Sequence, residues 1–259
     1  MIKFIRDLKK YWTYMVYSAK CELKKEVAGS YLNWIWWILE PLCFMMVYSF
    51  IFGYLFNTRK EYFEVFIFIG LTFWNFFNRS VLVSVRLVKA NRSIISKVYL
   101  PKYVLIIEKM MVNGFKMLIS AGIVVVMMVF MQVPLSWRVV LVFPMLIPLV
   151  LVTFGLCTIV LHFGVFVEDL KNIMNIGMKV IFYMTGIFYD LEDRAGHLGL
   201  LLQRYNPMAS LITGMRDVLL YRTTPDFMWL GIWTALGLVM CCIGVKLIQK
   251  NENSYAKVL

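Results

Sequence analysis

Residues 139–163 read VVLVFPMLIPLVLVTFGLCTIVLHF, a run without a single Asp, Glu, Lys or Arg. A helix rises ~1.5 Å per residue, so ~20 consecutive apolar residues are what a bilayer's hydrocarbon core demands. This run is a membrane-spanning helix, and the chain around it is of the same kind. Hydrophobic residues make up 61% of the sequence and charged residues 16%, with a mean hydropathy of +0.73, too apolar for a soluble domain of ordinary composition. Working outward, further apolar runs stand at 33–56, 62–85, 103–131, 173–189 and 227–248. No long polar stretch remains in which a water-exposed domain could fold. The expected fold is all-α: one polytopic membrane domain over 1–259 with six transmembrane helices, five of them within 33–189 and the last opening 227–259.

The flanks complete the picture. In residues 1–30, Ile5, Leu8, Trp12, Met15, Val16, Ala19 and Leu23 recur at helical spacing, with Lys3, Arg6, Lys10 and Lys24 away from them. That pattern predicts an amphipathic helix lying in the membrane interface. It lacks the apolar core and cleavage site of a signal peptide, so it is expected to be retained. The fifth run is short and is followed by moderately apolar pieces broken at Asn206 and Pro207. Such a broken stretch, 190–226, predicts re-entrant helices that dip in and return on one side. Lysines and arginines crowd the segment before the first span and the loop between the second and third, Arg86 to Lys102. The positive-inside rule makes both segments, and with an even number of spans both termini, cytoplasmic.

The formal net charge of +12 could serve nucleic acid, but the basic residues sit beside apolar spans, where they meet anionic headgroups; no nucleic-acid partner is expected. Cys21, Cys43, Cys157, Cys241 and Cys242 lack metal-type spacing, and His162 and His197 stand far apart with no acidic cluster nearby; no metal or disulfide is implied. Arg79, Lys109 and Lys179 read as side chains snorkelling to the cytoplasmic interface. Lys116 lies deeper, and Glu108 has open a partner near Lys109 or on another subunit. No Gly-rich loop followed by Lys and Ser or Thr occurs, so ATP is not bound here in the P-loop manner. The acidic residues are scattered through loops rather than convergent, which makes catalysis the weaker reading.

Ser30, Leu32, Asn33, Trp36, Leu39 and Pro41 lead into the first span; Asn91 to Pro101 follow the second; Glu168, Asp169 and Leu170 follow the fourth; Tyr205, Asn206 and Pro207 precede Arg216. In this order the motifs resemble those of the membrane subunits of ABC exporters for polysaccharides and polyol phosphates, the group of O-antigen, capsule and teichoic-acid permeases. Asn33 stands where that family usually has Gly, and Glu168 where it has Arg. The resemblance implies a permease in the bacterial cytoplasmic (inner) membrane, paired with a second copy of itself and with two copies of a cytoplasmic ABC ATPase, moving a lipid-linked glycan outward. It implies no cofactor in this chain, ATP and Mg being held by the ATPase. The rival readings are an ABC exporter of drugs or small lipids, and a membrane enzyme or scaffold of envelope assembly.

Sugars stack on aromatic faces, and the family is thought to line its channel with aromatics. The candidates are Trp34, Trp37, Phe73, Trp74, Phe77, Tyr183, Phe188 and Tyr189. Against this, Trp and Tyr gather at membrane interfaces and Phe packs between helices, so belt or core accounts for most such residues. The ATPase contact is expected in the loop between the second and third spans. There Asn91, Arg92, Ser93, Ser96 and Lys97 alternate with Ile94, Ile95 and Val98, a short helix whose apolar stripe needs a groove to fill. Pro101 should end that helix and set the angle of the third span.

Overall fold

The computed structural model describes residues 2–29, 31–55, 61–134, 136–252 and 254–255. Ser30 and the last residues of the tail lie outside that set. All regular structure among the described residues is helical. Helix α1 runs Ile2–Val27, α2 Trp36–Ser49 after a 3₁₀ turn at Asn33–Ile35, and α3 Phe63–Ser84. The single-turn helices α4 (Leu87–Ala90) and α5 (Arg92–Ile95) lead to α6, Lys102–Phe130. Helix α7 (Val142–Phe166) follows a 3₁₀ stretch, Trp137–Leu141, and is succeeded by α8, Leu170–Met184. Helices α9 (Leu191–Tyr205) and α10 (Pro207–Arg216) precede α11, Phe227–Lys250.

Five helical stretches among the described residues are long and apolar enough to cross a membrane: Trp36–Gly53, Phe63–Ser84, Lys102–Phe130, Trp137–Phe166 and Phe227–Lys250. The run at 173–189 differs from the expectation. Its helix, α8, has 15 residues, and a tight turn with Gly186 at φ +68° follows. The helix stops where the backbone must reverse, so the apolar run is longer than the helix it encodes.

The centre of the molecule is α3. Phe66, Ile67, Phe68 and Ile69 are all but inaccessible, and the apolar core continues through Val104 to Ile106 of α6 and Cys157 and Leu161 of α7. In α7, the buried Thr153 and Thr158 turn their hydroxyls back to the carbonyls of Leu149 (2.6 Å) and Gly155 (2.7 Å), so neither hydroxyl is left unpaired in the apolar core. Packing between α7 and α11 depends on a missing side chain: a Cβ on Gly155 would stand 2.6 Å from Met240 Cβ. Small residues are what let two helices approach within a membrane, where van der Waals contact replaces the hydrophobic drive.

Helix α1 lies along the first half of α6. Met15 and Ala19 are buried, Glu22 pairs with Lys109, and Glu26 with Lys116 at 2.6 Å. Glu108 is buried beside Ser18. Lys109, expected to snorkel, is thus neutralised by α1, and the partner left open for Lys116 and Glu108 comes from the same helix. Arg79 is likewise paired, with Glu40 of α2 at 2.5 Å. The carboxylates responsible are widely separated in sequence from the cations, which is why spacing along the chain did not reveal the pairs.

Candidate functional site

The basic loop between α3 and α6 is two single turns rather than one helix. Asn91 sits at their junction, where its amide donates to the Leu87 carbonyl at 2.9 Å. Helix α5 closes at Ile95, short of Pro101. Pro101 instead takes an extended conformation as the residue before α6, where its missing N–H costs no hydrogen bond. The paired isoleucines part company: Ile95 packs toward the core, whereas Ile94 is exposed together with Val98 and Tyr99. Lys97 points to solvent. The apolar surface this loop offers is therefore Ile94, Val98 and Tyr99.

A polar cluster fixes that loop from behind. Tyr99 donates to Glu252 at 2.8 Å, Tyr11 donates to the Tyr99 carbonyl at 3.4 Å, and Tyr103 donates to the buried Asp7. Glu252 also pairs with Lys3 at 3.7 Å and approaches Lys102 at 4.0 Å. Burial first, then the neighbouring Glu252 carboxylate, pushes the Tyr99 phenol above its ordinary value, so it remains a donor. On the other flank Lys89 of α4 meets Glu168 at 3.5 Å, and Asp169 stands just before α8. The loop is thus tied to α1, to the tail after α11 and to the turn after α7. Sequence reasoning missed Asp7, Tyr103 and Glu252; the one available signal was an acidic residue inside a basic leader.

The aromatic candidates divide. Trp74 and Phe188 are buried and share a cluster with Phe182 and Tyr48: Trp74–Phe182 5.4 Å, Phe182–Phe188 5.3 Å and Tyr48–Phe188 4.6 Å between ring centroids. Tyr183 is exposed beside Phe182, and Tyr189 donates to the Tyr183 carbonyl at 2.6 Å. Trp37 packs edge-on against Phe115 of α6 at 5.7 Å. Phe73 and Phe77 are buried, and Phe77 lines a different, apolar cavity with Leu156 and Ile181. Trp34 is exposed at the start of α2, as are Leu32 and Trp36. Phe77 also packs on Trp74, 5.7 Å between ring centroids, so the structure gathers Trp74, Phe77, Phe188, Tyr183 and Tyr189 and leaves Trp34, Trp37 and Phe73 apart from them.

Between α2 and α8, on a floor of α3, lies a crevice of about 270 Å³. Glu40, Pro41, Phe44 and Tyr48 form one wall, and Asn175, Met178, Lys179 and Phe182 the other.

The stretch after α8 is held by two side chains. Asn206 caps α10 by accepting from the amides of Met208 (3.0 Å) and Ala209 (3.4 Å), and its amide donates to Thr185 at 3.1 Å. Pro207 occupies the first turn, where its fixed φ suits a helix start. Arg216, at the end of α10, is buried and donates to the carbonyls of Phe66 (3.1 Å), Gly186 (2.9 Å) and Ile187 (2.9 Å). Its guanidinium lies over the Phe66 ring, 3.4 Å from the centroid, and a Cβ at residue 70 would come within 2.7 Å of it; only glycine leaves room. One arginine thereby fastens α10 and the 186–187 turn to α3.

Known proteins give this arrangement its context. Residues 17–220 match the family model described as ABC-2 type transporter. The chain is 29% identical over 248 residues to an O-antigen export system permease protein of Klebsiella pneumoniae, covering 95% of this chain and 94% of that one. It is 28% identical over 263 residues to an O-antigen export system permease protein of Myxococcus xanthus, covering 99% of each. A multi-pass helical membrane protein with Asn206, Pro207 and Arg216 fastening its long inter-span segment, and with a family match across most of its length, belongs to the ABC-2 type transporter family.

Proposed function

We propose that this chain is the permease subunit of an ATP-driven ABC exporter that moves a lipid-linked polysaccharide or polyol phosphate outward across the bacterial cytoplasmic membrane. The observation that carries the reading is the match, along nearly the whole of both chains, to O-antigen export system permeases. Membership of the family implies an ATPase partner. Two copies of the permease would enclose the path, each docked to one copy of a separate cytoplasmic ATPase. The loop surface of Ile94, Val98 and Tyr99 fits the ATPase contact, since it is apolar, exposed and rigidly backed.

Six crossings remain our reading of the topology. Helix α8 reaches about 22 Å at ~1.5 Å per residue, and the segment 185–189 would complete the fifth passage. Helices α9 and α10 then form the re-entrant segment, α1 lies at the interface, and both termini are cytoplasmic.

The permease, co-purified with its ATPase and placed in vesicles with a lipid-linked glycan, should carry that glycan to the far side only when ATP is supplied. A complex that hydrolyses ATP but moves no glycan would end the proposal. For docking, Ile94→Asp with Val98→Asp should abolish ATPase co-purification and leave membrane insertion unchanged. Undiminished co-purification would place the contact elsewhere.

A further inference from the structure

Past the end of α11 the chain folds back on the protein. The Asn251 carbonyl accepts from the amides of Ser254 (3.0 Å) and Tyr255 (3.2 Å), closing one turn, and the Asn251 side-chain amide donates to the Leu247 carbonyl at 2.9 Å. That turn serves two different neighbours. Tyr255 is wholly buried against the end of α7, its hydroxyl sharing a hydrogen bond with His162 Nδ1 at 2.8 Å and its ring 6.0 Å from that of Phe166. Glu252 instead accepts from the Tyr99 hydroxyl at 2.8 Å and pairs with Lys3 of α1 at 3.7 Å and Lys102 of α6 at 4.0 Å.

What Glu252 holds is the aromatic member of the apolar loop surface. Residues 99–101 belong to no helix, so no backbone ladder fixes their geometry. Side chains do so instead: Tyr11 donates to the Tyr99 carbonyl at 3.4 Å, Glu252 takes the phenol hydrogen, and the Lys102 ammonium lies 5.8 Å from the ring centroid. Backbone, hydroxyl and ring are each tied, although 57% of Tyr99 is open. A role in stability alone explains this poorly. The second Glu252 oxygen is buried and accepts no hydrogen bond among the described residues, Lys102 standing too far away at 4.0 Å. A buried carboxylate left half-satisfied costs stability, and Tyr255 already docks the tail on α7.

We propose that Glu252 is a positioning residue for the ATPase contact: through Tyr99, the tail after α11 fixes the apolar face that the permease offers to its ATPase. The proposal rests on the reading of Ile94, Val98 and Tyr99 as that contact. Holding an exposed aromatic ring in one orientation raises affinity, because its rotamer freedom is already lost before the partner arrives. The tie also joins the contact to two spanning helices, since α11 packs on α7 at Gly155 and Gly244.

The test is titration of the ATPase onto the full chain in lipid nanodiscs. Glu252→Ala should weaken binding by about tenfold, the loss expected for one hydrogen bond to a charged group. Tyr99→Phe should weaken it as much; it removes only a hydroxyl from an exposed residue, so it tests the contact even if Glu252→Ala fails to fold. Glu252→Gln keeps an acceptor for that hydroxyl and should recover most of the affinity. Joining Glu252→Ala to Tyr99→Phe should add no further loss, because both act through one contact; a residue that served stability alone would weaken binding equally in either background. Full affinity in Tyr99→Phe, or a loss from Glu252→Ala that repeats undiminished in the Tyr99→Phe background, overturns the role of Glu252. Ile94→Asp with Val98→Asp separates that failure from failure of the reading beneath it. If this variant loses the ATPase while Tyr99→Phe and Glu252→Ala bind normally, the contact stands and the positioning role falls. If it binds normally, the contact lies elsewhere and the proposal falls with it.

Discussion

Two spans of equal hydropathy lead opposite lives in this molecule. Trp36–Gly53 and Phe63–Ser84 cannot be told apart by their mean hydropathy, yet 6% of the first is buried within the chain and 78% of the second. Phe68 and Val65 of α3 are wholly enclosed, whereas Phe44, Met46, Val47 and Phe50 along α2 are half open or more. Lipid is as apolar as leucine, so hydropathy announces that a helix enters the membrane and says nothing about its neighbours. Packing by α6, α7, α8 and α10 makes α3 the structural axis. Helix α2 touches that axis along one side and α6 through Trp37 and Phe115, and most of its remaining surface is exposed.

The largest expected effect attacks the axis through its anchor. Arg216→Met should remove the buried side chain that donates to three carbonyls and cost more than ~3 kcal/mol. Its signature is loss of the monodisperse peak on size-exclusion chromatography in detergent, partly restored by Arg216→Lys; a normal peak for the methionine variant would show that α3 does not need the anchor. Next comes the axis itself: Phe68→Ala should lower stability by ~3 kcal/mol, read as a shift in thermal unfolding of the solubilised chain. Smaller again is the tie between α1 and α6. Lys109→Gln removes a half-screened ion pair and should cost ~1 kcal/mol or less, with the tie by Lys116 and Glu26 retained. The smallest effect belongs to α2, where Val47→Ala should change the solubilised chain by under ~0.5 kcal/mol. Equal destabilisation by Val47→Ala and Phe68→Ala would erase the distinction between the two helices.

Much of the candidate site was legible in advance, and the losses have physical causes. Asn206, Pro207 and Arg216 were recognisable as a motif, but the role of Arg216 depends on the carbonyls of Phe66, Gly186 and Ile187, backbone atoms that any residue carries. The alternation of Ile94 and Ile95 with polar neighbours was visible; which isoleucine faces outward was decided by the helix being a single turn, Arg92–Ile95, that closes well short of Pro101. Arg79, Lys109 and Lys179 looked alike as basic residues near span ends. Only the fold gives Arg79 and Lys109 carboxylates from α2 and α1 and sets Lys179 beside Asn75, Asn78 and Asn175, with no acidic partner among the described residues.

The sequence by itself determined that the chain is helical and lives in a membrane, because the cost of an unpaired peptide group in hydrocarbon forces every long apolar run into a helix. It also placed the span limits within a few residues, except where the 173–189 run meets the turn at Gly186 and the helix ends early. Which helix forms the axis, which charges cancel and which polar groups stay free were settled only by tertiary structure. Those properties belong to pairs of residues far apart in the chain, Glu22 with Lys109 or Phe66 with Arg216, and hydropathy is a property of one residue at a time.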